Sequence, residues 1–261
     1  MPDFQVDILS EAVEEDTVWA ELLYHGTQVD GKMKRKSNMP KEITINTNYP
    51  EMAECNRTSR VKTYKTLAGS LFLRACCPPE LVEGLQVDEE LYAFARLPER
   101  EHQLLLKLAC QPESRLALAY TPSGKIVGQV TLAPLDGWWQ GIENAYEVAV
   151  EVSPTFRNLG IARQLLSLAL DFDSVEEYLI IGLGLSWHWD YIGLGISPFQ
   201  YRELIARLFA AHGFAEYLTS EANIRMDPAN ILLAWLGRSL GKESMNRFFE
   251  RLFASEKLPG L

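Results

Sequence analysis

Two stretches of this chain carry residue types and spacings that could do chemistry. In the first, Val148-Ala149-Val150-Glu151-Val152 runs through Ser153-Pro154-Thr155-Phe156 into Arg157-Asn158-Leu159-Gly160-Ile161-Ala162-Arg163. A β-branched strand passes through a short turn, and a helix opens near Gly160. The first N–H groups of a helix have no intrahelical acceptor and lie at the positive end of its dipole. With Arg157 and Arg163 nearby, residues 157–163 form an anion site suited to phosphate. Upstream, Glu147 and Glu151 share the strand face opposite Val148, Val150 and Val152. A carboxylate flanked by apolar residues is partly desolvated and holds its proton more tightly, as a general base must. Glu151 is the leading base and Glu147 the reserve. The alternative for Glu151 is a solvated glutamate on a half-exposed strand.

The second stretch is Trp187-His188-Trp189-Asp190. It could line a pocket in which Asp190 attracts an ammonium group and the indoles cover its methylenes. It could equally be a packed aromatic cluster with His188 hydrogen-bonded inside it. No metal is expected, because His25, His102 and His212 show no ligand spacing with His188.

Several elements must position these groups. Val61–Leu67 and Ser70–Cys76 flank Ala68-Gly69 as a hairpin, and Arg115–Thr121 and Ile126–Leu132 flank Pro122-Ser123-Gly124-Lys125 as another. Helices are expected from Pro78 to Leu85 and from Pro98 to Cys110, each admitting proline in its first turn. Tyr146–Ser153 is a strand and Gly160–Asp173 a helix. Tyr178–Leu185, continuously apolar, is a strand covered on both faces. Helices over Pro198–Ala211, Pro228–Gly237 and Glu243–Ala254 complete the chain, with Asp227 placed to cap the middle one. The plan is α/β of the α+β type around one mixed sheet, with a single βαβ crossover through the Gly160 helix.

Size and composition narrow the function classes. At 261 residues, 47% hydrophobic and 23% charged, the chain suits one sizeable globular domain with an appendage. A net charge of −10 argues against general nucleic-acid binding. Four cysteines without a CxxC pair suggest reduced structural thiols. The opening Met-Pro-Asp lacks an apolar leader, and no apolar run is long enough to span a bilayer, so a cytoplasmic protein away from membranes is expected. Residues 1–60 differ in character, with an acidic start and a basic cluster at Lys32-Met33-Lys34-Arg35-Lys36. They read as a partly ordered extension before a domain over residues 61–261.

The Arg157-x-x-Gly160-x-Ala162 spacing resembles the acyl-CoA pyrophosphate loop of the Gcn5-related N-acetyltransferase superfamily, with Asn158 where glycine is common. A further resemblance, to the bacterial acetoin-utilisation acetyltransferases acting on acetyl-CoA synthetase, covers most of residues 61–255. It is carried by Thr66-Leu67-Ala68-Gly69-Ser70-Leu71, Pro98-Glu99-Arg100-Glu101-His102-Gln103, Glu151-Val152-Ser153-Pro154, Trp187-His188-Trp189-Asp190, Tyr201-Arg202 and Pro228-Ala229-Asn230.

The resemblance implies an acetyltransferase fold, a largely antiparallel sheet with one splayed parallel strand pair and flanking helices. It implies acetyl-CoA as co-substrate, with pantetheine along Val150 and Val152 and pyrophosphate on Arg157, Asn158, Leu159, Gly160, Ile161, Ala162 and Arg163. It implies an acceptor lysine, that of acetyl-CoA synthetase; Trp187, Asp190 and Glu147 are the residues expected to bind it. The superfamily's usual leaving-group acid is a tyrosine, yet Phe209 holds that position here. Tyr201, Tyr191 and His188 are the substitutes, Tyr201 first. Small-amine acetylation and non-catalytic acyl-CoA binding remain alternatives to protein acetylation.

Overall fold

A computed structural model describes residues 61–254. The expected extension over residues 1–60 lies outside the described residues. Strands β1 (Lys62–Thr66) and β2 (Gly69–Arg74) form the first hairpin. Helix α1 (Pro79–Glu83) leads to a two-residue strand, β3 (Gln86–Val87), then to α2 (Pro98–Cys110). The second hairpin is β4 (Arg115–Tyr120) with β5 (Lys125–Pro134). Strand β6 (Ala145–Val152), helix α3 (Ile161–Ala169) and strand β7 (Leu179–Gly184) form the crossover. The remainder is α4 (Pro198–Ala210), β8 (Ala215–Tyr217), α5 (Ala222–Met226), β9 (Ile231–Leu236) and α6 (Lys242–Leu252).

Four expectations are corrected. Residues 231–236 form a strand where a helix over Pro228–Gly237 was expected. The run Ile-Leu-Leu-Ala-Trp-Leu has no polar face, so it suits a central strand, and β9 lies between β7 and β8. Asp227 is not an N-cap but the C-cap residue of α5; its carboxylate accepts from the Ala229 N–H at 2.8 Å and from Ser186 Oγ at 2.6 Å. Helix α3 ends at Ala169, short of Asp173, because the chain turns there to pack Phe172 edge-on against Tyr178, 5.6 Å between centroids. Among the cysteines, Cys77 and Cys110 are free, whereas Cys76 is disulfide-bonded, against the expectation of reduced thiols.

The sheet runs β1-β2-β4-β5-β6-β7-β9-β8, and β3 pairs with β5 off that path. Pairing is antiparallel except for β3 with β5 and β6 with β7. On one face, Ile161 and Leu165 of α3 and Phe209 of α4 pack on Val130, Leu132, Val148 and Ile180. Gly128 of β5 permits this approach, since a Cβ there would meet Leu165 at 3.2 Å. The other face carries two separate cores. Val82 and Leu105 of α1 and α2 cover Leu116 and Leu118, while Phe248 and Leu252 of α6 cover Leu179, Ile181 and Leu232. Register places Gln129 opposite Glu151, Thr131 opposite Ala149, and Glu147 opposite Ile181. The sheet between the two cores is therefore polar, and a cavity opens there.

Candidate active site

The cavity originates in the sheet. Strands β6 and β7 pair only at Ala145–Glu147 with Leu179–Ile181, yet β6 continues to Val152 and β7 to Gly184. Past the paired segment the two strands diverge and leave a wedge. The Ser153 N–H bonds to the Val127 carbonyl on the β5 side at 2.9 Å. Backbone direction alternates along a strand, so the polar groups of Val152, Val150 and Val148 face the wedge. Gly182 keeps the opposite wall low, since a Cβ there would meet Phe209 at 3.3 Å and Val148 at 3.4 Å. A cavity of about 740 Å³ passes through this wedge from Arg157, Asn158 and Ala162 to Gln129, Glu147 and Glu151.

At the outer end, Asn158 (φ 61°) and Gly160 (φ 76°) both adopt left-handed backbone, which asparagine and glycine tolerate best. The Tyr64 hydroxyl donates to the Leu159 carbonyl at 2.9 Å, and a Cβ on Gly160 would stand 2.9 Å from that hydroxyl. Ile161 is buried as an anchor while Ala162 lines the cavity, so the free N–H groups of the first turn face it. Arg157 reaches across the wedge. Its Nε donates to the Val152 carbonyl at 3.2 Å, and its Nη1 pairs with Asp190 at 2.7 Å. Asp190 also accepts from the Gly193 N–H at 2.9 Å. Arg163 faces solvent away from the cavity wall.

Glu151 lies on the far side of the sheet. One carboxylate oxygen accepts from the N–H groups of Tyr92 at 2.9 Å and Ala93 at 2.8 Å. The other accepts from Gln129 Nε2 at 3.0 Å, and the same nitrogen donates to Glu101 at 2.6 Å. Burial, reinforced by the Glu101 charge, raises the Glu151 pKa to about 7 against the pull of these donors. Glu147, two alternations earlier on the same face, is also raised to about 7 by burial and by Asp136 and Glu221.

His188 donates from Nδ1 to the Ala93 carbonyl at 2.8 Å, and burial lowers its pKa to about 4, so the ring is neutral with Nε2 as an acceptor. Tyr201 on α4 lines the same cavity, stacked on Trp189 with centroids 5.2 Å apart. Burial raises its pKa, with Arg157 opposing and Asp190 and Glu151 adding to the rise. Trp187 lies on the wall beside His188. Phe209 is buried against Phe214 below the wedge. One cavity thus collects Glu147, Glu151, Trp187, His188 and Tyr201, and Arg157 joins it at the outer end.

The acetyltransferase (GNAT) family pattern matches residues 81–174. The acetoin utilization protein AcuA of Bacillus subtilis (strain 168) is 32% identical over 200 residues, covering 75% of this chain and 94% of the relative. The chain belongs to the GNAT acetyltransferase family. AcuA of Bacillus licheniformis matches to the same extent, 32% over 200 residues. The crystal structure of an acetoin utilization protein from Exiguobacterium sibiricum superposes with a TM-score of 0.71 at 27% identity, covering 74% of this chain and 93% of that one.

This acetyltransferase therefore uses acetyl-CoA as co-substrate, and the wedge fits it. The α3 N–H groups suit a pyrophosphate, the open β6 edge suits the amide groups of pantetheine, and Gly182 leaves room between the strands. Sequence reasoning did not single out Glu101 or Gln129 as site residues. The signals existed: Glu101 shares its helix face with Leu105 and Leu108, and Gln129 interrupts the apolar run of β5.

Proposed function

We propose that this chain is a cytoplasmic protein lysine acetyltransferase whose acceptor is acetyl-CoA synthetase, with Glu151 as general base and Tyr201 as leaving-group acid. The observation that carries the reading is one cavity joining a phosphate-binding helix start to a buried carboxylate that binds its proton near neutrality. The cavity wall includes Glu101, Asp136, Glu147, Glu151 and Glu221, and among the described residues Arg157 is its sole arginine or lysine, which favours a cationic acceptor such as a lysine ammonium.

A lysine has a pKa near ~10.4, so it arrives charged and must lose a proton before it can attack. Glu151 takes that proton. The neutral amine then adds to the thioester carbonyl, whose developing oxyanion is met by a wedge-facing N–H of Val150 or Val152. As the intermediate collapses, the C–N bond is kept and the C–S bond breaks. Tyr201 protonates the departing thiolate, and the extra proton left on the acylated nitrogen restores the Tyr201 hydroxyl. Arg157 and the first turn of α3 hold the pyrophosphate, and Trp187 flanks the acceptor entrance. Acetylation removes the acceptor's positive charge, which would silence a lysine needed for adenylate chemistry.

The test is transfer of label from acetyl-CoA to purified acetyl-CoA synthetase, with Glu151→Gln as control. A labelled synthetase lysine, lost with Glu151→Gln, supports the proposal. Tight acetyl-CoA binding with transfer only to small amines, or with none at all, refutes it.

A further inference from the structure

Glu101 has no part in the chemistry above, although it is among the most buried charged side chains of the molecule, at 0% exposure. Its place on α2 follows from spacing: Glu101, Leu105 and Leu108 form one helix face against the sheet. Burying a carboxylate is costly unless it is hydrogen-bonded, paired or protonated. Among the described residues, no lysine or arginine forms an ion pair with Glu101 or with Glu151. Glu101 instead accepts from the Ala95 N–H at 2.8 Å and from Gln129 Nε2 at 2.6 Å.

Gln129 is 1% exposed and spends its amide nitrogen on both carboxylates, bridging Glu101 and Glu151. Its carbonyl Oε1 is buried with no hydrogen-bond partner. The reverse orientation would turn that oxygen on two carboxylates, so the acids fix the amide. The bridge also ties the loop before α2 to the site, because the N–H groups of Tyr92, Ala93 and Ala95 all end on these two acids.

We infer that Glu101 and Gln129 are positioning residues for Glu151, joining the two buried carboxylates into one unit that shares a proton and makes Glu151 a stronger base. The inference rests on Glu151 being that base. Like charges this close resist joint ionisation, so one proton stays with the pair until the solution is less acidic than an isolated glutamate requires. Other groups face Glu151 from the packed elements: the loop N–H groups, neutral His188 after β7, Tyr201 from α4 and Arg157 beyond it. None of these is a second carboxylate. Glu101 is, and burial raises its own pKa as well.

The two bridge residues push in opposite directions, and that gives the test. Activity requires ionised Glu151, so its acid limb follows the Glu151 pKa. Glu101→Gln removes the repelling charge and moves the limb down by about one pH unit. Gln129→Met removes a donor to the ionised form and moves the limb up. Both variants keep acetyl-CoA affinity within about threefold, as binding at the outer end of the wedge demands. Loss of rate with an unmoved limb in both variants assigns them a structural role and overturns the inference.

A second readout is independent of catalysis: carbon-13 NMR of the Glu151 side chain in the full chain, titrated with and without Glu101→Gln. A downward shift supports the pairing, and an unchanged titration overturns it. If the titration moves while Glu151→Gln keeps full activity, the pairing stands and the base assignment fails instead.

Discussion

His188 and Glu151 are joined through a single residue. The Ala93 N–H donates to the Glu151 carboxylate at 2.8 Å, while the Ala93 carbonyl accepts from His188 Nδ1, also at 2.8 Å. The imidazole thus steadies the backbone that holds the base, and this bond fixes its tautomer. Because burial lowers its pKa to about 4, His188 stays neutral at working pH and cannot serve as a cationic acid.

Replacing this histidine should separate positioning from proton transfer. Asparagine can still donate to the Ala93 carbonyl, whereas alanine cannot. His188→Asn should keep kcat/KM within a few-fold and leave the pH profile in place. His188→Ala should lower kcat/KM by about tenfold or more as the loop at residues 92–95 loosens. Nitrogen-15 NMR of the imidazole should show a neutral ring protonated at Nδ1 at neutral pH. An imidazolium signal there would contradict the assignment.

Tyr201 can be tested without disturbing packing. Its ring stacks on Trp189, 5.2 Å between centroids and 16° from parallel, and phenylalanine preserves that stack. Tyr201→Phe should therefore fold and bind acetyl-CoA normally while kcat falls about 100-fold, the usual scale of a lost general acid. A kcat within twofold of the parent would move the acid role elsewhere.

The sequence was most legible where patterns were local. The strand-to-helix turn at Arg157–Ala162 could be read because Asn158 and Gly160 are the residue types that left-handed backbone selects, and both adopt it. The hairpins turned at Gly69 and Gly124 could be read for the same reason. Residues 231–236 misled because an apolar run beside an Asp-Pro pair satisfies helix and strand rules alike; only the neighbouring edges of β7 and β8 decide it. Glu101 and Gln129 could not be joined from sequence, since one lies on a helix and the other on a strand and only packing of α2 on the sheet unites them. Arg157 shows the remaining gap. Its spacing predicts a phosphate ligand, but its pairing with Asp190 and the Val152 carbonyl depends on how the 187–190 segment folds back.

Gly182 offers a steric test of the wedge. A methyl group there would already press on Phe209 at 3.3 Å and Val148 at 3.4 Å, closer than ordinary contact. Gly182→Val adds two more carbons on this cavity wall, against Phe209 and Val148. Acetyl-CoA affinity, followed by calorimetry, should fall at least about tenfold. Retained affinity would mean that the co-substrate does not pass between these strands.

Glu147 makes a prediction about stability. Burial and the charges of Asp136 and Glu221 raise its pKa to about 7 from an ordinary 4.5. The folded chain therefore holds this proton more tightly than the unfolded chain. Under proton linkage, stability falls as pH rises between those two values and levels off above the higher one. The penalty is absent where both states are protonated and complete where both are ionised. Glu147→Gln mimics the protonated form at every pH. It should leave the thermal midpoint unchanged near pH 4 and raise it in mildly alkaline buffer, each 1 kcal/mol of relief giving about 2–4 °C. Calorimetric scans of parent and variant across that range would check this, and an equal shift at both ends would show that charge is not the cause.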